Sequence, residues 1–442
     1  MTFLPLSTLL SAGRAPDHPL SLSGAASIGF GRFAAELAAT TSRLRATGCQ
    51  RAALLCQDSY RFTVGLFGLL HAGITVVMPP NGQPGTLTAL GDSFDLLVDD
   101  AFLEDLSGEA MALVPLDPTR PAFEFFTSGS TGTPKRIVKN LAMLEQEVAT
   151  LERLWGLEMG WGPTVATVSH QHIYGLTFKL LWPLAAGRPF AGEMHELWET
   201  LLDRLPADAV IVASPAHLGR LQGIAPLAPA RQPRAVFSAG APLSLSAATD
   251  ALAILGVRPT EIFGSTETGA IATRRQTSAD VPWRTLPGIS IATDEDGCLK
   301  LRSPFMGHDD WFETADLIEP VDQGFHLRGR ADRIVKIEGK RISLTEIEQA
   351  LRRLPWAAAA AAVVVPGDPA RLAALVVPNE AGQDRLAELG RFRFGRLLRQ
   401  ALKETQEPAG LPRLWRFGDR LPCGPMGKWR EADLLALFGG AS

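Results

Sequence analysis

Short apolar runs alternate with longer amphipathic stretches along most of this chain. Residues 32–44 carry apolar side chains at helical spacing, and Ala52-Ala53-Leu54-Leu55-Cys56 follows as an unbroken run that fits a buried strand. Residues 64–78 read as a buried helix passing into the strand Ile74-Thr75-Val76-Val77, which Pro79-Pro80 ends. The strand pattern recurs at Leu96-Leu97-Val98, Thr164-Val165-Ala166-Thr167-Val168, Ala209-Val210-Ile211-Val212 and Ala235-Val236-Phe237. Alternation of this kind predicts an α/β fold, a large N-terminal domain of parallel or mixed sheets covered by helices. Ligands in such sheets sit at the carboxyl ends of the strands, where Ser169-His170, Ser214-Pro215 and Ser238-Ala239-Gly240 fall. Gly29-Phe30-Gly31-Arg32-Phe33-Ala34 matches a dinucleotide fingerprint by letters, but no strand is expected before it, so the match is read as chance.

The pattern changes near Gly329-Arg330-Ala331-Asp332, which divides the chain into residues 1–330 and a smaller α+β domain, 331–442. Residues 334–342 read as a hairpin turning at Glu338-Gly339. A helix then begins with Ser343 as N-cap and Glu346 three residues on. Leu344, Ile347, Leu351 and Leu354 share one face of it, and Pro355 stops it. Strands are expected at residues 361–365 and at Leu375-Val376-Val377, and an amphipathic helix over 385–403.

Composition narrows the class. The chain has 442 residues, 46% hydrophobic and 20% charged, enough for a sizeable core and two or three domains. A formal net charge of −4 supplies no general attraction to nucleic acid, so an anionic ligand must be held by local cations and backbone dipoles. Cys49, Cys56, Cys298 and Cys423 form no C-x-x-C pair, which points to neither a zinc site nor a disulfide framework and suits a reducing cytoplasm. Residues 1–10 are apolar without a basic leader, so no secretory signal is expected. The most hydrophobic window, 64–78, is broken by Gly65, Gly68, His71 and Gly73 and is too short to span a bilayer.

Chemistry concentrates in Phe125-Phe126-Thr127-Ser128-Gly129-Ser130-Thr131-Gly132-Thr133-Pro134-Lys135. Its glycines let the backbone curl round a polyanion, its hydroxyls donate, and Lys135 adds a cation, which together suit a nucleoside triphosphate. The spacing differs from the G-x-x-x-x-G-K-[ST] phosphate loop, because Lys135 follows Gly132 across Thr133 and Pro134. That disfavours kinases and GTPases of that type. A Ser/Thr/Gly run alone is more often a plain surface loop.

Three further segments follow in order: Ile262-Phe263-Gly264-Ser265-Thr266-Glu267-Thr268-Gly269; Trp311-Phe312-Glu313-Thr314-Ala315-Asp316-Leu317 leading to the stretch 329–342; and Pro422-Cys423-Gly424-Pro425-Met426-Gly427-Lys428. With the opening loop, these resemble the core motifs of the adenylate-forming superfamily, which includes acyl-CoA synthetases, aryl-CoA ligases, luciferases and adenylation domains. The resemblance runs from about Leu66 to the C-terminus and is closest to compact bacterial acyl or aryl acid ligases. It implies ATP-dependent conversion of a carboxylic acid to an acyl adenylate with release of pyrophosphate, then transfer to a thiol of CoA or of a carrier-protein phosphopantetheine.

The same resemblance assigns roles. Thr127, Ser128, Gly129, Ser130, Thr131, Gly132 and Lys135 would hold the β- and γ-phosphates, Thr266 the α-phosphate, and Glu267 a Mg2+ ion, which suits one carboxylate plus phosphate oxygens and waters. Gly240-Ala241-Pro242 would line the adenine. Asp316 would accept from both ribose hydroxyls, with Arg330 supporting the sugar. The family's usual glycine before this aspartate is Ala315 here. Lys428 would reach the substrate carboxylate and α-phosphate during adenylation, although Gly424 and Met426 depart from the usual polar residues. Asp332 would be the hinge of a mobile C-terminal domain, Gly339 would leave room for a pantetheine arm, and Arg341 would contact the AMP phosphate. His172, in Ser169-His170-Gln171-His172-Ile173-Tyr174-Gly175, would gate the acyl pocket; a core histidine is the rival reading. No aspartate for a substrate ammonium is found in this neighbourhood, and Gly264 stands where small-acid members carry bulk. Both favour an aryl or medium-to-long acyl acid. The competing class is a non-catalytic nucleotide-binding relative acting as scaffold or sensor.

Overall fold

The structure is a computed structural model that describes residues 2–24, 26–105, 109, 111–128, 134–278, 280–337, 340–367, 370–406, 408–422 and 431–439. The side chains of Thr127, Ser128, Pro134, Lys336, Lys340 and Arg341 lie outside that description. The chain forms two compact units, Met1–Ser290 with Arg302–Trp311, and Ile291–Leu301 with Phe312–Ser442.

Two sheets organise the first unit. In one, Leu96–Asp99, Arg51–Leu55, Thr75–Met78 and Pro121–Ser128 run parallel side by side, and Pro134–Asn140 closes the edge antiparallel to Pro121–Ser128. In the other, Thr260–Ser265, Ala235–Ala239, Val210–Ala213, Thr164–Ala166 and Phe190–Ala191 are parallel neighbours in that order. Val210, Ile211, Val212 and Ala213 are fully buried, as strands covered on both faces require. The strands expected in this unit are all present, with ends shifted by one or two residues.

Helix boundaries follow local chemistry. Ser59–Ala72 begins where the Asp58 carboxylate accepts the Arg61 N–H at 2.8 Å, and it ends at Gly73 with φ 81°. Leu141–Met159 begins where Asn140 accepts the Met143 N–H at 3.0 Å. Buried Arg188 anchors this helix from the sheet side. It donates to both Glu152 oxygens, at 2.6 and 2.8 Å, and to the Gly160 carbonyl at 2.7 Å.

Two readings change. A strand, Ala26–Gly29, does precede the helix Phe30–Thr47, contrary to expectation. It pairs antiparallel with Pro19–Ser23, so this is a hairpin edge and not the parallel unit that a dinucleotide fingerprint needs. Gly264, expected to deepen a pocket, serves backbone packing instead. The strands Thr260–Ser265 and Gly269–Arg274 form a hairpin with a register shift between Phe263 and Gly264. A Cβ at Gly264 would lie 2.2 Å from the Gly269 carbonyl oxygen.

In the second unit, Cys298–Arg302, Phe312–Val321 and Gly324–Arg330 make an antiparallel ribbon. The hairpin Ile334–Ile337 with Lys340–Ser343 leads into the helix Leu344–Arg353, where Ser343 accepts the Glu346 N–H at 3.2 Å. Strands Ala357–Val365, Arg371–Pro378 and Leu414–Phe417 form a sheet over a core that includes Leu344, Ile347, Leu351, Phe394 and Leu398. The long helix, Glu380–Leu402, starts earlier than expected because Asn379 caps it, and it breaks at Gly390, φ 71° and ψ 163°. No helix among the described residues is long and apolar enough to cross a membrane.

Gly264→Trp is expected to lower the melting temperature, since the side chain must displace hairpin backbone and such overpacking costs about 1–3 kcal/mol or more. An unchanged thermal melt would show that the strands have room there.

Candidate active site

The edge hairpin Pro121–Ser128 with Pro134–Asn140 sets Thr127 opposite Lys135 and Ser128 opposite Pro134, so the glycine-rich run is the loop of a β-hairpin. Gly129, Ser130, Thr131, Gly132 and Thr133 lie outside the described residues, and Thr127 and Ser128 are placed by backbone alone. Lys135 is well placed: its Nζ donates to Glu267 Oε1 at 3.4 Å, with side-chain exposures of 60% and 23%. The loop hairpin and the Thr260–Ser265 hairpin therefore meet at one cation–carboxylate contact. Glu267 and Thr266 sit in the three-residue turn between the latter hairpin's strands, each half-buried. Inside this turn the Thr268 hydroxyl accepts the Ser265 N–H at 3.1 Å.

Parallel pairing of Ala235–Ala239 with Thr260–Ser265 puts the turn that begins at Gly240 beside the strand leading to Thr266, at the same sheet edge. Gly240 has φ 96°, a conformation that favours glycine. Ser169 to His172 follow Thr164–Ala166, two strands along on the same edge. His170 is the core histidine of this segment. Its two ring nitrogens lie 3.0 Å from Ser59 Oγ and 2.9 Å from the Cys56 carbonyl oxygen, and burial pushes its pKa down to about 3. Neutral, it donates from Nε2 and accepts at Nδ1. Gln171 donates to the Leu54 carbonyl at 2.8 Å. These bonds hold the loop, and half-buried His172 follows as cap of the next helical turn. Beyond it, Tyr174 packs on Phe178 at 5.0 Å, and Phe178 on Phe237 and Trp182 at 5.4 and 5.6 Å. Burial raises the Tyr174 phenol's pKa, and its oxygen has no hydrogen-bond partner among the described residues.

In the second unit, ribbon pairing sets Asp316 directly opposite Arg330. Arg330 donates to Asp316 Oδ1 at 3.2 Å and, as a two-point clamp, to Asp332 at 2.9 and 2.6 Å. Hydrogen bonding to Asp332 raises the Arg330 pKa further, so it stays a cation. Burial raises the Asp316 pKa while Arg330 opposes the shift. A carboxylate with one oxygen on Arg330 keeps acceptor capacity for hydroxyl donors. Ala315 has no left-handed φ, since Asp208 and Gln323 are the non-glycine residues with positive φ among those described. Its replacement of glycine is therefore without backbone strain. Asp332 lies in the short turn Ala331–Arg333 that joins ribbon and hairpin. Arg341 is placed by backbone in Lys340–Ser343, while Gly339 and Lys428 lie outside the described residues.

Sequence reasoning missed one residue beside this site. Buried Lys139, on the loop hairpin's second strand, donates to the Glu267 carbonyl oxygen at 3.2 Å. Its position one residue before the Asn140 helix cap gave no sign of that contact.

The sequence signature described as AMP-binding enzyme matches residues 81–295. The chain is 32% identical to a 4-coumarate–CoA ligase of Rhodobacter capsulatus, over 70% of this chain and 75% of that protein. It is 29% identical to a sulfoacetate–CoA ligase of Cupriavidus necator, over 74% of this chain and 69% of the other. The crystal structure of ATP-bound MatB from Rhodopseudomonas palustris superposes with a TM-score of 0.78 at 20% identity, covering 100% of this chain and 99% of MatB, which shows a shared fold. The chain thus belongs to the AMP-binding enzyme family, and is an AMP-forming acid–thiol ligase that converts a carboxylic acid to its acyl adenylate and passes the acyl group to a thiol.

Proposed function

We propose that this ligase activates an aryl acid, with Lys135 and Glu267 at the polyphosphate end of its ATP site and Lys428 as the cation of the adenylating step. The observation that carries the reading is the 3.4 Å contact between Lys135 and Glu267, contributed by two separate hairpins. Displacement at the α-phosphorus builds negative charge on the phosphoryl group and on departing pyrophosphate, so the chain's part is positioning and neutralisation. Lys135 faces that charge as a point cation, and Thr127, Ser128, Gly129, Ser130, Thr131 and Gly132 are assigned to the same phosphates. Thr266 bonds the α-phosphate from the adjacent turn. Glu267 suits Mg2+, which takes one or two carboxylates beside phosphate oxygens and water and would supply charge neutralisation at the phosphates. Gly240, Ala241 and Pro242 border the adenine. Asp316 accepts from the ribose hydroxyls, and Arg330 holds one of its oxygens in place.

The functional division is set at residue 330, with 331–442 as the mobile part. Asp332 is the hinge: its clamp on Arg330 ties the joint to the ribose residue, and a joint of this sort is where a domain swing is absorbed. Gly339 then leaves a passage for the pantetheine arm and Arg341 meets the AMP phosphate. CoA is the simplest acceptor, and a carrier-protein phosphopantetheine presents the same thiol. The free thiols Cys49, Cys56 and Cys298 fit a cytoplasmic setting.

The aryl preference is supported by the name of the 4-coumarate relative; the packed aromatic cluster of Tyr174, Phe178, Trp182 and Phe237 backs the segment that follows His172. Sulfoacetate, named for the other relative, is by contrast a short acid with a second anion and no ring.

ATP–pyrophosphate exchange across a panel of acids tests the substrate class. Hydroxylated aryl acids are expected to exchange best, and α-amino acids and short anionic acids poorly. A best substrate from either of the latter groups would overturn the aryl assignment.

Lys428→Ala is expected to cut exchange severely while leaving thioester formation from preformed acyl adenylate largely intact. Equal loss in both half-reactions would contradict a role confined to adenylation.

A further inference from the structure

The turn that carries Glu267 is held from behind by buried groups that the ligase reaction itself does not explain. Three backbone groups in succession are engaged. The Glu267 carbonyl accepts from Lys139 Nζ at 3.2 Å, the Thr268 carbonyl from Ser303 Oγ at 2.8 Å, and the Ala270 N–H donates to Glu147 Oε1 at 2.9 Å. Lys139 also donates to the Phe305 carbonyl at 3.0 Å, so one ammonium joins the loop hairpin, the Glu267 turn and the segment after Ser303. All three side chains are buried: Lys139 is 2% exposed, Glu147 and Ser303 3%.

Behind this turn a buried lysine and a buried glutamate carry opposite charges. A buried ammonium with no counter-charge is strongly unfavourable. Burial lowers the Lys139 pKa and raises that of Glu147, and each charge opposes the other's shift. The second Glu147 oxygen has no hydrogen-bond partner among the described residues. It lies where a side chain at Gly269 would stand, since a Cβ there would come within 3.1 Å of it. Gly269, at φ 69°, thus admits the carboxylate beneath the turn. A hydrophobic pair would fill this space, but it would leave the Glu267 and Phe305 carbonyls without their donor.

The geometry points to Lys139, Glu147 and Ser303 as a positioning unit for the Glu267 carboxylate, holding its turn in the place needed for a divalent cation on the polyphosphate. This rests on the reading of Glu267 as the metal-side carboxylate. None of the three touches substrate; they act through the backbone that carries Glu267. A Lys-Glu pair at the back of a rigid hairpin turn fixes a carboxylate without presenting a competing ligand to the ion.

Equilibrium binding of ATP, measured with Mg2+ and again in chelator, separates positioning from plain core stability. Lys139→Met and Glu147→Gln should each lower the melting temperature by leaving one buried charge alone. The double variant should recover much of that loss, since no charge is then unpaired. Its Mg2+-dependent gain in ATP affinity should nonetheless stay reduced by about tenfold or more, the range for groups that orient metal ligands. Affinity in chelator should be unchanged. Ser303→Ala, a milder change that tests the unit if the charge variants do not fold, should show a smaller loss in the same direction. Wild-type Mg2+ dependence in the double variant, or in Ser303→Ala, would reduce the unit to a structural core pair and overturn the proposal. Glu267→Gln is the separate control. If it keeps wild-type Mg2+ dependence, the reading of Glu267 itself fails.

Discussion

A lysine and a glutamate from two hairpins meet at 3.4 Å, and the proposed ATP site is arranged around that contact. As a source of stability it counts for little, because Lys135 is largely exposed and such pairs contribute about 0–1 kcal/mol. Its meaning is positional. Lys135 lies in register beside the glycine-rich loop, and Glu267 lies in the turn of a hairpin whose first strand pairs with the strand leading to Gly240. Opposite charges converging from the carboxyl ends of strands in two sheets give a polyphosphate and its cation separate partners.

Much of the supporting structure does only one thing, which is to keep backbone still at those strand ends. His170 and Gln171 bond to the Cys56 and Leu54 carbonyls and so fix the loop before His172. Gly264 allows one strand to approach the Gly269 carbonyl, and Gly269 admits Glu147. In the second unit Arg330 is shared between Asp316 and Asp332, which couples the residue proposed for the ribose to the residue proposed for the hinge.

The parallel strands were legible in the sequence because burial on both faces leaves a plain apolar run, as at Val210 to Ala213. The helix start at Ser343 was equally readable, because the cap and Glu346 form one local pattern. What was not legible depended on partners far along the chain. Lys139 bonds carbonyls 128 and 166 residues away, and no local pattern announces them. Gly264 looked like a missing side chain in a pocket, whereas the absent Cβ makes way for the backbone of its own hairpin. The strand before Phe30 was missed because its residues are exposed or half-buried and lack an apolar run. Glu380 to Asp384 were passed over as the helix start because they are mostly polar and Asn379 was not recognised as the cap.

Binding of ATP and of AMP to Lys135→Ala, compared by calorimetry, tests the central claim most directly. If Lys135 faces the β- and γ-phosphates, the variant loses affinity for ATP by about tenfold or more, the scale of a charge-assisted hydrogen bond, and keeps wild-type affinity for AMP. Equal losses for the two nucleotides, or none for either, would place the polyphosphate elsewhere and contradict the account.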